Sequence, residues 1–215
     1  MRSDTLLTKL YRIKDDLVNR KEPSAYTALL GLIEEVEAEI RDVYNKASGN
    51  ASVADAAKRV QKRASQHRME ALHRAYRGSQ GLIICDGAQA LRFNLDTAPS
   101  LVEHPEGYVF YPDIDRIIDG SKGNDVPVEV PSLGELRTAI RIAKAKHNAP
   151  RGGGAVFILK AAEQDVRVDA QLLADMPEAL PGATVTAARE KTQRSALYFK
   201  AENGDGVLLP LRPTE

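Results

Sequence analysis

Tryptophan is missing from this 215-residue chain, aromatic residues make up only 5% of it, and cysteine occurs once. A single Cys85 cannot close an internal disulfide, so the fold must hold without covalent staples, as expected of a protein in a reducing cytoplasm. No run approaches the roughly 18 apolar residues of a membrane-spanning helix, and the first residues lack the apolar core of a signal peptide. No membrane partner is therefore expected, and the localisation read from these features is cytoplasmic. An excess of one charge is also lacking: 30 Lys and Arg stand against 30 Asp and Glu. Global charge does not argue for nucleic acid, so any electrostatic case must rest on local patches. No cluster of acid, base and nucleophile stands out, and the four histidines show no motif spacing around Cys85. Cys85 closes an Ile-Ile run and reads as a small buried hydrophobe. No catalytic residue, cofactor or enzymatic activity is expected.

What is present reads as one α+β domain with an appendage. The apolar share is 43%, enough for a core. Leu6, Leu10, Ile13 and Leu17 recur at helical spacing, as do Leu29, Leu32, Ile33, Val36, Ile40 and Val43 beyond a break at Lys21-Glu22-Pro23. Two amphipathic helices across a short break predict an antiparallel hairpin over residues 1–47. The small, polar ASGNAS stretch at 47–52 is the best linker, which sets a domain over 52–215.

Residues 52–77 predict a third helix of basic character, with Lys58, Arg59, Lys62, Arg63, His67, Arg68, His73, Arg74 and Arg77 against Asp55 and Glu70. It reads as a solvated face beside the acidic second helix or as a phosphate-tracking helix. It lacks the interleaved aromatics that single-strand binding uses. Gly81 to Leu95 predicts two strands around an Asp86-Gly87 turn. Thr97 to Asp125 is loop-rich, with a short strand at Tyr108–Tyr111. Asp113, Asp115 and Asp119 have ligand-like spacing, but Ile114, Ile117 and Ile118 suit an ordinary short helix and no EF-hand pattern completes the run, so no metal is expected. Val126–Val130 predicts a strand. Ser132 and Glu135 form a capping box for a helix whose Arg137, Arg141 and Lys144 share a flank. Arg151-Gly152-Gly153-Gly154 lacks the ending of a phosphate loop and reads as a turn into a strand at Ala155–Lys160.

The last stretch predicts a strand at Val166–Val168, a helix capped by Asp169, and strands at 184–186, 196–201 and 207–211 with a turn at Asn203-Gly204-Asp205-Gly206. This strand-helix-strand-strand-strand unit resembles the repeating unit of DNA sliding clamps, the processivity factors of replicative polymerases. VDAQLLADMPEALPGATVT with a closing LLPLR is similar to the last domain of the bacterial clamp, the beta subunit of DNA polymerase III. Upstream, the strand at Val126 with the helix at Leu133, the basic helix and the ICDG hairpin resemble further clamp elements. Residues 52–215 are also similar to small clamp-like proteins of phages and mobile elements, which carry a CDG turn and a late GDGxLLP strand. Two features depart from the clamp pattern: Pro177 sits inside the Leu-Leu helix, and the chain holds about one domain where a ring needs several.

The resemblance implies a clamp-like α+β fold and a non-enzymatic role, with duplex DNA and a polymerase or other replication protein as partners and a homo-oligomer as the assembly. It implies that Arg59, Lys62, Arg63, Arg68, Arg137, Arg141 and Lys144 meet DNA phosphates without reading bases. It places Leu209, Pro210, Leu211 and Arg212 on the strand that walls a peptide-binding pocket. The bare residue pattern of these four slightly favours an ordinary closing strand in a sheet. The alternative function is a protein–protein adaptor or inhibitor of clamp-like fold that does not touch DNA and docks through the helical hairpin.

Overall fold

The computed structural model describes residues 3–18, 22–105, 113–146, 155–162, 164–188 and 196–211. The predicted strand at Tyr108–Tyr111, the Arg151–Gly154 turn, Arg212 and the side chain of Lys144 lie outside the described residues. The chain divides into two compact units, Met1–Ala51 and Ser52–Glu215. No helix among the described residues is long and apolar enough to cross a membrane.

The first unit contains α1 (Ser3–Val18) and α2 (Glu22–Ala47). Pro23 stands in the first turn of α2, where a missing N–H removes no intrahelical bond. The helices run antiparallel, with Lys9 of α1 paired to Glu35 of α2. Their shared core is small: Ile13, Ala25 and Leu32 are buried, with Ala28 and Val36 against them.

The second unit is α+β. A seven-stranded sheet has the order β1-β2-β3-β9-β8-β7-β4, built from β1 (Tyr76–Arg77), β2 (Leu82–Cys85), β3 (Gln89–Phe93), β4 (Val126–Pro127), β7 (Thr184–Ala187), β8 (Leu197–Ala201) and β9 (Gly204–Leu208). All the pairings that join it are antiparallel. The order holds two similar halves. α3 (Ala51–Ala64) precedes the β1-β2-β3 meander, α6 (Ala170–Ala179) precedes the β7-β8-β9 meander, and the last strands of the two meanders lie side by side.

The sheet is covered on both faces, which is why all five residues of β3 are buried. Alternation divides them. Leu91 and Phe93 join the main core with Val53, Ala57 and Val60 of α3, Leu173 and Met176 of α6, and Leu136 of α5 (Leu133–Lys146). Ala90 faces the opposite cluster, with Ile83, Cys85, Tyr198, Val207, and Ile114 and Ile118 of α4 (Ile114–Ser121). Burial pushes the Cys85 thiol up to about 11, consistent with its reading as an unreactive core residue.

Four expectations shift. The basic helix ends at Ala64 instead of running to Arg77. Ser65 to Met69 offers no apolar side chain to the core, and the chain turns there to deliver Leu72 and Tyr76 to the sheet. The predicted unit around Val166 is divided between two sheets. β6 (Gln164–Asp169) pairs only with β5 (Val156–Ala161) in a separate ribbon, while β7–β9 belong to the main sheet. The last hairpin turns earlier than the expected Asn203–Gly206, at Glu202-Asn203, with Ala201 opposite Gly204, so β9 runs from Gly204 to Leu208 and not from Val207 to Leu211. Gly204 has φ 153°, and a Cβ there would stand 2.1 Å from the Arg92 carbonyl oxygen. Close approach to β3 therefore sets this register. Lastly, the strand from Val126 is shorter than its apolar pattern, although the Val128 N–H still reaches the Val185 carbonyl at 2.9 Å.

Pro177 is accommodated in the last turn of a ten-residue α6. Asp169 caps this helix, accepting from the N–H groups of Gln171 at 2.8 Å and Leu172 at 3.2 Å. The capping box at α5 forms as its sequence implies: the Ser132 N–H donates to Glu135 at 2.8 Å, and the Glu135 N–H returns to the Ser132 hydroxyl at 3.3 Å.

Candidate nucleic-acid interface

Arg59 and Arg63 are four residues apart on α3, so their side chains share one flank of the helix. That flank meets α6. Arg59 donates to Asp175 at 2.7 Å and to Glu178. Arg63 stands 2.7 Å from the other Asp175 oxygen as an ion pair and donates to Asp86 at 2.8 Å. Asp175 is fully buried, a position tenable for a carboxylate because two guanidinium groups compensate it. Asp86 in turn accepts from the N–H groups of Ala88 and Gln89, closing the β2–β3 turn.

Glu178 extends the network to α5, accepting from Arg137 at 2.7 Å. Burial disfavours its charged form, but hydrogen bonds from Arg137 and Arg59 outweigh that and hold the carboxyl below its ordinary value. Burial likewise disfavours the charged form of Arg59, yet Asp175 and Glu178 hold its guanidinium above the usual arginine value. Arg59, Arg137 and Arg141 line one open groove of about 480 Å³, with Ile140, Gln171, Ala174 and Glu178. The Arg137 side chain is 67% exposed while bonded to Glu178. Arg141 is exposed as well. The groove can receive an anion, with Glu178 holding two of its guanidinium groups in place.

Of the other residues expected to meet DNA, Lys62, Arg63 and Arg68 do not line this groove. Lys62 is exposed on α3, and Arg68 lies in the turn beyond it, not on a helix. Two of the expected phosphate ligands, Arg59 and Arg63, are committed to internal carboxylates. Asp175 and Glu178 carried no obvious signal in sequence. The available hint is their spacing of three, which puts both carboxylates on one side of the helix capped by Asp169.

Leu209, Pro210 and Leu211 do not form a strand. They follow β9, with the Leu209 N–H bonded to the Ala88 carbonyl at 2.8 Å and the Leu211 N–H to the Arg167 carbonyl at 2.7 Å. Leu209 and Leu211 are exposed and Pro210 is half-buried, so the segment presents apolar surface while its backbone is tied to the β2–β3 turn and β6.

On the opposite face of the sheet lies a second charged cluster, centred on Arg92. Its side chain is 4% exposed and contacts Asp205 on β9 and Asp115 and Asp119 on α4. Asp205 accepts two bonds, at 2.8 and 2.7 Å, and a third from the Tyr198 hydroxyl at 3.0 Å. The aspartates with ligand-like spacing are thus committed elsewhere: Asp113 caps α4, and Asp115 and Asp119 compensate Arg92. Among the described residues no group of three or more His, Cys, Asp or Glu is placed to hold a metal ion. No protein-family model matches the chain, nor does any curated protein or solved structure.

Proposed function

We propose that the protein is a non-enzymatic, clamp-like binding protein that meets the phosphate backbone of duplex DNA through its helical face. The observation that carries this reading is the convergence of Arg59, Arg137 and Arg141, from α3 and α5, on one open groove. Guanidinium forks suit phosphate oxygens, and contacts of this kind position a duplex without reading its sequence. Support also comes from the two helix-plus-meander halves, which resemble the repeated construction of sliding clamps. The internal commitment of Arg59 and Arg63 makes the expected affinity modest. Among the described residues, Lys62, Arg68, Arg137 and Arg141 are the proposed ligands with exposed side chains, and together they should contribute about −4 to the log–log salt slope. Fluorescence anisotropy on a random-sequence duplex across a salt series tests this. Arg137→Glu with Arg141→Glu should abolish the binding, and indifference to duplex DNA at low salt would reject it.

A second reading is favoured by the same ion pairs. If Asp175, Glu178 and Asp86 leave too little free charge, the protein is an adaptor that docks partners without touching DNA. It then captures a replication protein with equal efficiency in the charge-reversed variant, which the DNA reading does not allow.

A further inference from the structure

Packing inside the hairpin uses only half of the apolar surface of α2. Ala25, Ala28 and Leu32 turn toward Ile13 of α1. A second stripe consists of Tyr26, Leu29, Ile33, Val36, Ile40 and Val43, at successive intervals of three, four, three, four and three residues. That is the a/d spacing of a coiled-coil seam, sustained over about 26 Å of helix. Val36 is shared with the hairpin core, but Tyr26, Ile40 and Val43 are more than 60% exposed and Leu29 and Ile33 are also exposed. Single exposed apolar side chains are ordinary on a protein surface, whereas a contiguous stripe of them marks an interface.

We propose that this seam is closed by α2 of a second copy of the chain. Size supports the assignment. Covering the seam and the neighbouring Leu30 and Tyr44 on two copies removes on the order of 1,000 Å² from water, where specific interfaces begin. The proposal does not depend on DNA binding. A dimer would, however, bring two arginine grooves into one particle.

Sedimentation velocity on the full chain over a concentration series tests it. The expected result is twice the chain mass, with Ile33→Glu and Ile40→Glu each raising the dissociation constant by at least about 100-fold, because the charge enters the buried seam from both copies. Both residues are exposed within one chain, so the variants should keep their helical circular dichroism. A single-chain mass at all concentrations overturns the proposal, including the case in which slow amide exchange of α2 shows that the same chain covers the seam. A dimer indifferent to Ile33→Glu and Ile40→Glu overturns it as well.

Discussion

Arg92 and the arginines of α3 and α5 carry the same charge under opposite circumstances. Arg92 is sealed inside the sheet–α4 interface and surrounded by Asp115, Asp119 and Asp205. Arg59, Arg63 and Arg137 bind Asp175 and Glu178 while remaining 38%, 30% and 67% exposed. A buried ion cluster adds little net stability but is costly to break, because removing one partner leaves the others uncompensated. An open one leaves part of its charge available to a ligand. Arg92 therefore belongs to the fold, and the groove arginines can belong to function.

The largest effect expected from breaking this contrast comes from Arg92→Met. It strands three carboxylates and should cost about 3 kcal/mol or more in urea denaturation. Arg92→Lys should recover only part, since an ammonium cannot reproduce the bidentate bond to Asp205. A test of the sheet register itself is Gly204→Ala, which places a Cβ against the Arg92 carbonyl at a positive φ. It should cost about 2 kcal/mol, read by the same denaturation.

Glu178→Gln sharpens the comparison from the open side. Stability should fall by about 1 kcal/mol. The released Arg137 and Arg59 should strengthen binding to random duplex DNA at low salt and steepen the salt slope by about 0.9. If Glu178→Gln destabilises the protein and leaves DNA affinity unchanged, the groove is structural like the Arg92 cluster.

Smaller and spread over pH is the acid response. A hydrogen bond from Lys122, opposed by burial and reinforced by Arg92, holds the Asp119 carboxyl below its ordinary value, and Glu178 is held low by Arg137 and Arg59 against the effect of burial. Groups with a depressed native pKa stabilise the fold above their unfolded pKa of about 4 and lose that contribution as pH falls through the native value. A thermal-melt series should show stability level above pH 5 and declining below pH 4, with a shallower decline in Glu178→Gln. The smallest structural effect belongs to Arg141→Ala. It should shift stability by less than about 0.5 kcal/mol while reducing the salt slope of DNA binding by about 0.9.

Local elements were legible wherever the signal was local. The capping box at Ser132 and Glu135, the Asp169 cap and the strands around Asp86-Gly87 follow from residues within a few positions of one another. So does the aspartate run 113–119 reading as a short helix. The α+β class follows from the mixture of periods. Arg92 was not legible as the centre of a cluster, because its partners come from residues 115, 119 and 205 and meet it only after β3 and β9 pair. The end of α3 was missed because charge continues past Ala64 where apolar periodicity stops, and the latter decides where a helix can pack. In the last hairpin the local signal at Asn203–Gly206 marks a turn, but the strand resumes at Gly204, three residues before Val207, since close approach of Gly204 to β3 outweighs the local turn preference.

By itself, then, the sequence determined two amphipathic helices joined to an α+β unit, their approximate limits, and a surplus of arginine near α3 and α5. It could do so because periodicity and capping are properties of neighbouring residues. Only the tertiary structure decided which arginines are spent. Arg59 and Arg63 meet Asp175 across more than a hundred residues of chain, and a cation's availability depends on the carboxylates that folding brings to it and the water that folding removes.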